Sequence, residues 1–395
     1  MKRFAAIFSL LICHLTSAQA QDNVTIYGII DIGLQYATVN QSRDRTFESN
    51  QFLGIASGVQ SGSRLGLRGT HEMGEGFQTV FTLENGFDSS NGVAQQGGRL
   101  FGRQSTIGIK HNNIGQFDIG RQMNLATNYF LPIDPFAEGF GQANFGASFG
   151  SANTTRYSNL LLLQVQATQA LTIGLGYSFA TEMSSVYTAN GSCTESSCLP
   201  NNQASQFQTN NNLRALTLGA KYSSGPLLLS IAYDQLSGPD NIPNGPPKPN
   251  PTAWLAGGAY DFSVVKIAFA FGQTRNGAWN GQPAGAGTTP NSPLADSTLG
   301  SAALFLPGAA TNSLMLGITI PIREASILAS VQRMQAVGDA LPMSDAGPQM
   351  IYSAAYLYNF SRRTNLYTYA SYGNNYAVIR SAQSTVVGVG IRHQF

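Results

Sequence analysis

The sequence predicts an all-β protein, a sixteen-stranded antiparallel transmembrane β-barrel. Three observations predict it. Helical periodicity is nearly absent, and segments of about ten residues alternate apolar and polar side chains with period two. The connections between these segments alternate between short and long. The chain also ends inside such a segment, "STVVGVGIRHQF": Val387, Val389, Ile391, His393 and Phe395 share one parity, and Gly388, Gly390, Arg392 and Gln394 share the other. Soluble domains mostly end in frayed, polar tails. In lipid every backbone N–H and C=O must be paired inside the protein, so a sheet there closes on itself and its last strand pairs with its first.

The first segment, "VTIYGIIDIGLQY", sets Ile30, Ile32, Leu34 and Tyr36 against Ile29, Asp31, Gly33 and Gln35. "SRLGLRGTHEM", "GFQTVFTLENGF", "RQSTIGIKH" and "GQFDIGRQ" follow, then, after a long gap, "TTRYSNLLLLQVQ" and "LTIGLGYSFA". Nine more segments run from "LRALTLGAKY" to the terminal "TVVGVGIRHQF", sixteen in all. Short turns include "MGEG" (73–76), "NNIG" (112–115), "SSGP" (223–226) and "SRR" (361–363). Long connections are 37–62, 122–153, 181–212, 236–251, 274–311 and 335–348, and 122–153 is the third if 89–101 is the second. A meander with this rhythm collects its short turns at one end, the pattern of an outer-membrane barrel with short periplasmic turns and long external loops. A tilted strand of about 9–11 residues crosses the hydrocarbon, which fits the segment length. A secreted β-sandwich also alternates, but it has no reason to produce sixteen strands with one short/long rhythm.

Lys2 and Arg3 precede an apolar run from Phe4 to Leu15, and Ala18-Gln19-Ala20 follows. This is the order of a secretory signal peptide, so residues 1–20 are read as a signal and 21–395 as the mature barrel. Removing 1–20 takes away Lys2 and Arg3 and no acid, leaving a net charge near zero. A nucleic-acid protein would need a basic surplus. Only 11% of the residues are charged, less than half of the usual ~25%. Cys193 and Cys198 remain in "GSCTESSCLP". An oxidising compartment favours a disulfide between them; the alternative, metal binding, lacks a nearby His or third Cys.

In "SRLGLRG", Leu65 and Leu67 face lipid, so Arg64 and Arg68 face the lumen. The opposite choice would cost ~2–4 kcal/mol for an arginine at mid-depth. Signals for catalysis fail. "GASFG" around Ser148 matches G-x-S-x-G, but that motif needs a strand–turn–helix context. His71, His111 and His393 are scattered. The residues therefore call for no enzymatic activity, cofactor or metal.

"VTIYGIIDIGLQY", "GSRLGLRGTHEMGEGFQTVFTLENGF", "GGRLFGRQSTIGIK", "GQFDIGRQ", "TTRYSN" and "GIRHQF" resemble the general diffusion porins of Gram-negative bacteria, in particular the Neisseria/Burkholderia-type branch. The resemblance covers essentially the whole mature chain and is most specific in its first 160 residues. It implies a homotrimer in the outer membrane, in contact with its lipid and lipopolysaccharide, and passive diffusion of small hydrophilic solutes and ions. It implies that the third external loop folds into the lumen and narrows it. It also implies that Phe395 is the terminal aromatic read by the barrel-assembly machinery.

On the same resemblance, Asp134 and Glu138 match the two acids that such porins carry four residues apart at the constriction. Here "PFAEGFG" stands where the common form is Pro-Glu-Phe-Gly-Gly. Arg64, Arg103 and Arg156 match the wall arginines, and Arg121 at the end of the fifth strand is a further candidate. Opposed basic and acidic walls would set a transverse field across a narrow wet pore. With arginines outnumbering the two acids, the expected lean is towards anions. The competing readings are a solute-specific channel or an outer-membrane hydrolase on the same barrel, and a closed structural barrel. Abundant small lumen-side residues (Gly, Ser, Ala) favour open water.

Overall fold

Period-two alternation forces one face of every strand towards lipid, and the sheet that satisfies all backbone groups under that constraint is a closed one. The computed structural model describes residues 23–43, 46–153, 155–181, 184–187, 212–238, 249–279, 302–337 and 346–395. The signal sequence 1–20 and the Cys193/Cys198 pair lie outside the described residues.

The strands are β1 (Asn23–Arg43), β2 (Thr46–Ser57), β3 (Arg64–Gly74), β4 (Phe77–Gly86), β5 (Gln104–His111) and β6 (Gly115–Met123). They continue as β7 (Arg156–Gln166), β8 (Leu171–Ser178), the short β9 (Ser184–Tyr187), β10 (Arg214–Ser224), β11 (Leu227–Ser237) and β12 (Thr252–Asp261). The last six are β13 (Lys266–Trp279), β14 (Ala302–Ile322), β15 (Ala325–Val337), β16 (Gln349–Asn359), β17 (Thr364–Asn374) and β18 (Gln383–Gln394). β1 pairs β3 through Asn23–Ile29 and β2 through Ile32–Arg43, so β2 and β3 are two parts of one barrel strand, interrupted at 58–63. β9 lies outside the ring, parallel to the start of β14, and β8 pairs β10 directly. The ring therefore has sixteen antiparallel members.

The seam is continuous to the last residue. β18 pairs β1 from Asn40↔Gln383 to Ile29↔Gln394. Beyond it, Gly28 and Phe395 exchange both backbone hydrogen bonds at 3.1 Å. A Cβ on residue 28 would overlap the Phe395 ring, so a glycine is what lets the terminal aromatic seat against the first strand.

Outward positions are exposed and apolar: in β18 Val387, Val389 and Ile391, in β13 Ile267, Phe269 and Phe271. Tyr222, Tyr260, Phe262, Tyr358, Phe360 and Phe395 are exposed beside the short turns, as an interfacial aromatic girdle requires. Two long connections are shorter than the sequence reading. The β1–β2 ladder continues to Arg43↔Thr46, and β13 and β14 pair on to Trp279↔Ala303. Strand pairing thus claims much of 37–62 and 274–311. A further connection, 375–382, follows β17 and escaped the sequence reading. It carries non-glycine residues in the left-handed region (Asn375, Ala377, Val378, Ser381) rather than turn-forming glycines.

The connection 124–155 follows the loops after β1 and after β4, which makes it the third. Asn124 caps the short helix Leu125–Phe130 by accepting the Thr127 N–H at 3.0 Å. The segment then runs along the inward parity of the wall. Leu125 N–H donates to Thr217 Oγ1, and Ser230 Oγ to the Tyr129 carbonyl. Lys266 Nζ donates to the Pro132 carbonyl at 2.6 Å. Farther along, Gln332 reaches the Ala143 and Asn144 carbonyls, and Gln142 bonds Ser371 and Ser384. A Cβ on Gly317 would overlap the Pro135 ring, so the segment lies on the wall in direct contact. Phe130, Phe136, Phe140 and Phe145 are fully buried beneath it.

Candidate pore constriction

The segment 124–155 touches β8, β10, β11 and β13–β18 and leaves the wall of β3–β6 uncovered. That uncovered wall, with the start of β7, carries the arginines. Glu84 on β4 is the hub. Its Oε2 accepts the Tyr27 hydroxyl at 2.9 Å, and its Oε1 accepts Arg103 Nε at 2.7 Å and lies 3.9 Å from Arg64 Nη1. Arg64 also donates Nε to the Gly62 carbonyl, and the Arg68 guanidinium stands 5.2 Å from the Tyr27 ring centroid. Arg121 donates to the Gly102 carbonyl at 2.7 Å and to Ser158 Oγ at 2.8 Å. Arg156 Nε donates to the Arg103 carbonyl at 2.8 Å. Arg103 and Arg156 are buried in the wall, Arg64 and Arg121 are half-buried, and Arg68 is exposed.

Five arginines from β3 to β7 thus form one cluster, joined by hydrogen bonds or in close neighbourhood, with one carboxylate at its centre. Sequence reading named the five and missed Glu84 and Tyr27. The signal was present: Phe81 and Leu83 set the outward parity of β4, so Glu84 must point inward by the same cost that turned Arg64.

Of the two loop acids, Asp134 is bonded to its own loop. Asp134 is buried. Its Oδ1 accepts the Phe136 N–H at 3.0 Å, and its Oδ2 accepts the N–H groups of Glu138 at 2.9 Å and Phe145 at 3.1 Å. The carboxylate is therefore committed to folding its own loop. Burial pushes it up to about 6, while the three backbone N–H groups act in the opposite direction. Ala137, Glu138 and Phe140 take positive φ values of 47°, 57° and 62°, a left-handed backbone that costs ~1–2 kcal/mol at each non-glycine residue. These are the positions where "PFAEGFG" departs from the glycine-rich form of the resemblance, and the Asp134 hydrogen bonds span the strained turn. The turn meets the opposite wall where Phe140 N–H donates to the Val59 carbonyl at 2.5 Å, in the 58–63 interruption between β2 and β3.

Comparison with known proteins agrees with the barrel. Residues 9–377 match the family described as Gram-negative porin. The chain belongs to the Gram-negative porin family. It is 40% identical to an outer membrane porin protein of Bordetella pertussis, over the full length of both chains. It is 25% identical to outer membrane porin protein 32 of Delftia acidovorans, with 96% of each chain covered. Among solved structures, an anion-selective porin from Comamonas acidovorans superposes with a TM-score of 0.67 at 21% identity, covering 95% of this chain and 100% of that one. The outer membrane channel DcaP of Acinetobacter baumannii superposes with a TM-score of 0.62 at 12% identity, over 96% and 99% of the two chains. This porin is a passive diffusion channel of the Gram-negative outer membrane and not an enzyme. Ser148 accordingly lies beside a run of single-turn 3₁₀ segments, with no strand–turn–helix around it.

Proposed function

We propose that this porin is an anion-preferring general diffusion channel. Its narrowest passage runs between the segment 124–155 and the wall of Arg64, Arg68, Arg103, Arg121 and Arg156. One observation carries the reading: five arginines gather on one stretch of wall around the Glu84 carboxylate, which pairs with Arg64 and Arg103, while the Asp134 carboxylate is bonded to the backbone of its own loop. Fixed charge of one sign concentrates its counter-ion in a narrow wet pore. Salt screens this over ~10 Å at 0.1 M, so the preference should weaken as salt rises. The structurally similar Comamonas acidovorans protein is described as anion-selective, which supports the same direction here. The test is the reversal potential of single channels in a salt gradient. Arg64→Gln with Arg103→Gln should move it towards cations; an unchanged value would overturn the assignment of this wall to the constriction.

The reading extends to assembly. The mature chain starts at Gln21, trimerises, and carries a Cys193–Cys198 disulfide on its fourth external loop; it contacts lipopolysaccharide. Phe395 serves the barrel-assembly machinery. What supports the last point is the paired backbone of Phe395 against Gly28. Deleting Phe395 should leave periplasmic aggregate in place of heat-modifiable barrel, and normal folded levels would exclude the role.

A further inference from the structure

The outward face of β13–β17 carries a feature that diffusion through the lumen does not use. Inter-strand register aligns its side chains in rows. One row reads Leu316, Val331, Tyr352, Tyr372, and the row below it reads Ile318, Ala329, Ala354, Ala370. The three alanines, overhung by the larger side chains, leave a hollow of about 710 Å³ on the lipid side of the wall. Two residues beyond Val331, towards the long-loop end, Arg333 projects outward and is exposed. The distance along the strand is ~7 Å.

Arg333 belongs to a polar belt. Its Nη2 donates to Gln335 Oε1 at 2.6 Å. Gln335 pairs in register with Asn312, whose Oδ1 accepts Gln273 Nε2 at 2.7 Å. Gln273 Oε1 in turn accepts Arg275 Nε at 2.5 Å. The two guanidinium groups lean towards one row from either side, on strands two apart in the sheet. Among the described residues no carboxylate pairs with either one. An arginine on the lipid face is tolerated only at the interface, and there it attracts anionic head groups.

We infer that this face is a binding site for the lipid A portion of lipopolysaccharide, with an acyl chain in the alanine hollow and phosphate on Arg275 and Arg333. Charge complementarity and position select this occupant. The belt lies at the end of the barrel that bears the long loops, which faces the outer leaflet, where the phosphorylated, multiply acylated lipid is lipopolysaccharide. The inference gives a location to the lipopolysaccharide contact proposed above and is independent of pore selectivity.

The test compares the full-length protein in phosphatidylcholine vesicles doped with lipid A or, at equal mole fraction, phosphatidylglycerol, with bound lipid counted by native mass spectrometry. Wild type should retain lipid A in preference. Arg275→Gln with Arg333→Gln should lower retention about thirtyfold, from ~1 kcal/mol for each basic group at an anionic lipid surface. Ala354→Phe, which fills the hollow and keeps the charges, should also lower it. Conductance of all three proteins should be equal, which shows that the variants fold. Equal lipid A retention in all three overturns the site. Preference for phosphatidylglycerol overturns the assignment to lipopolysaccharide. Loss of the oligomer in either variant would assign the face to contact between copies of the chain instead.

Discussion

The barrel wall and the segment 124–155 use the same residue types in opposite ways. In β16 and β17, Tyr352, Tyr356 and Tyr372 are exposed on the outward parity, while Tyr367 and Tyr369 on the inward parity are buried beneath Phe140. Position in the alternation decides each of them. In the inner segment no periodicity operates. Asn124, Asp134 and Gln142 are placed by individual hydrogen bonds, and several of their partners lie more than a hundred residues away. The wall is specified by a pattern and the segment by particular contacts, so the two should respond differently to substitution.

The largest effect should come from breaking the pattern. Val389→Arg places a charge on the lipid face and should cost ~2–4 kcal/mol, abolishing the heat-modifiable form on gels. Gln394→Arg on the opposite parity of the same strand should stay within ~0.5 kcal/mol. Equal behaviour of the pair would mean that parity does not control this wall.

Asp134→Ala should come next. It strips the acceptor from three backbone N–H groups in a strained turn, a loss of ~1–3 kcal/mol confined to the segment. Single-channel noise should rise while the barrel's thermal transition stays in place; a lowered transition would show that segment and wall fold as one unit.

Glu84→Gln should be milder. A glutamine oxygen can still accept from Arg103, so folding should persist. Anion preference measured by reversal potential should increase, because a wall carboxylate is gone. A shift towards cations would contradict the charge balance assigned here.

The smallest effect should be that of pH. Asp134 is raised to about 6 by burial, so the packed segment holds a proton more readily than an unpacked one does. Its packed state is therefore favoured as pH falls from about 6 towards 3.8, and that contribution is absent at neutral pH. Brief closures should be fewer at about pH 5 than at about pH 7, and Asp134→Asn should flatten the difference.

The pattern-specified part was legible without coordinates. Arg64 and Arg68 were turned inward by Leu65 and Leu67, and the same logic applied to "TLENG" would have supplied Glu84. The connection 375–382 was missed because its backbone takes left-handed turns on asparagine, alanine, valine and serine, which carry no turn signal. The extended β1–β2 and β13–β14 ladders carry no strand signal in the sequence, because pairing beyond the membrane band needs no lipid-facing alternation.

The alternation alone specifies the closed sixteen-membered ring, its outward face, the seam that ends on Phe395, and the inward turn of Arg64 and Arg68. Each follows from one rule, the cost of an unpaired backbone group or a charge in hydrocarbon. Only the tertiary structure decided that Asp134 turns into its own loop and that five arginines gather around Glu84. It alone decided that the segment lies on β8, β10, β11 and β13–β18 and leaves β3–β6 bare. Inside the lumen water can satisfy either orientation of a polar side chain, so no such penalty reaches back to the sequence, and specific distant partners make the choice.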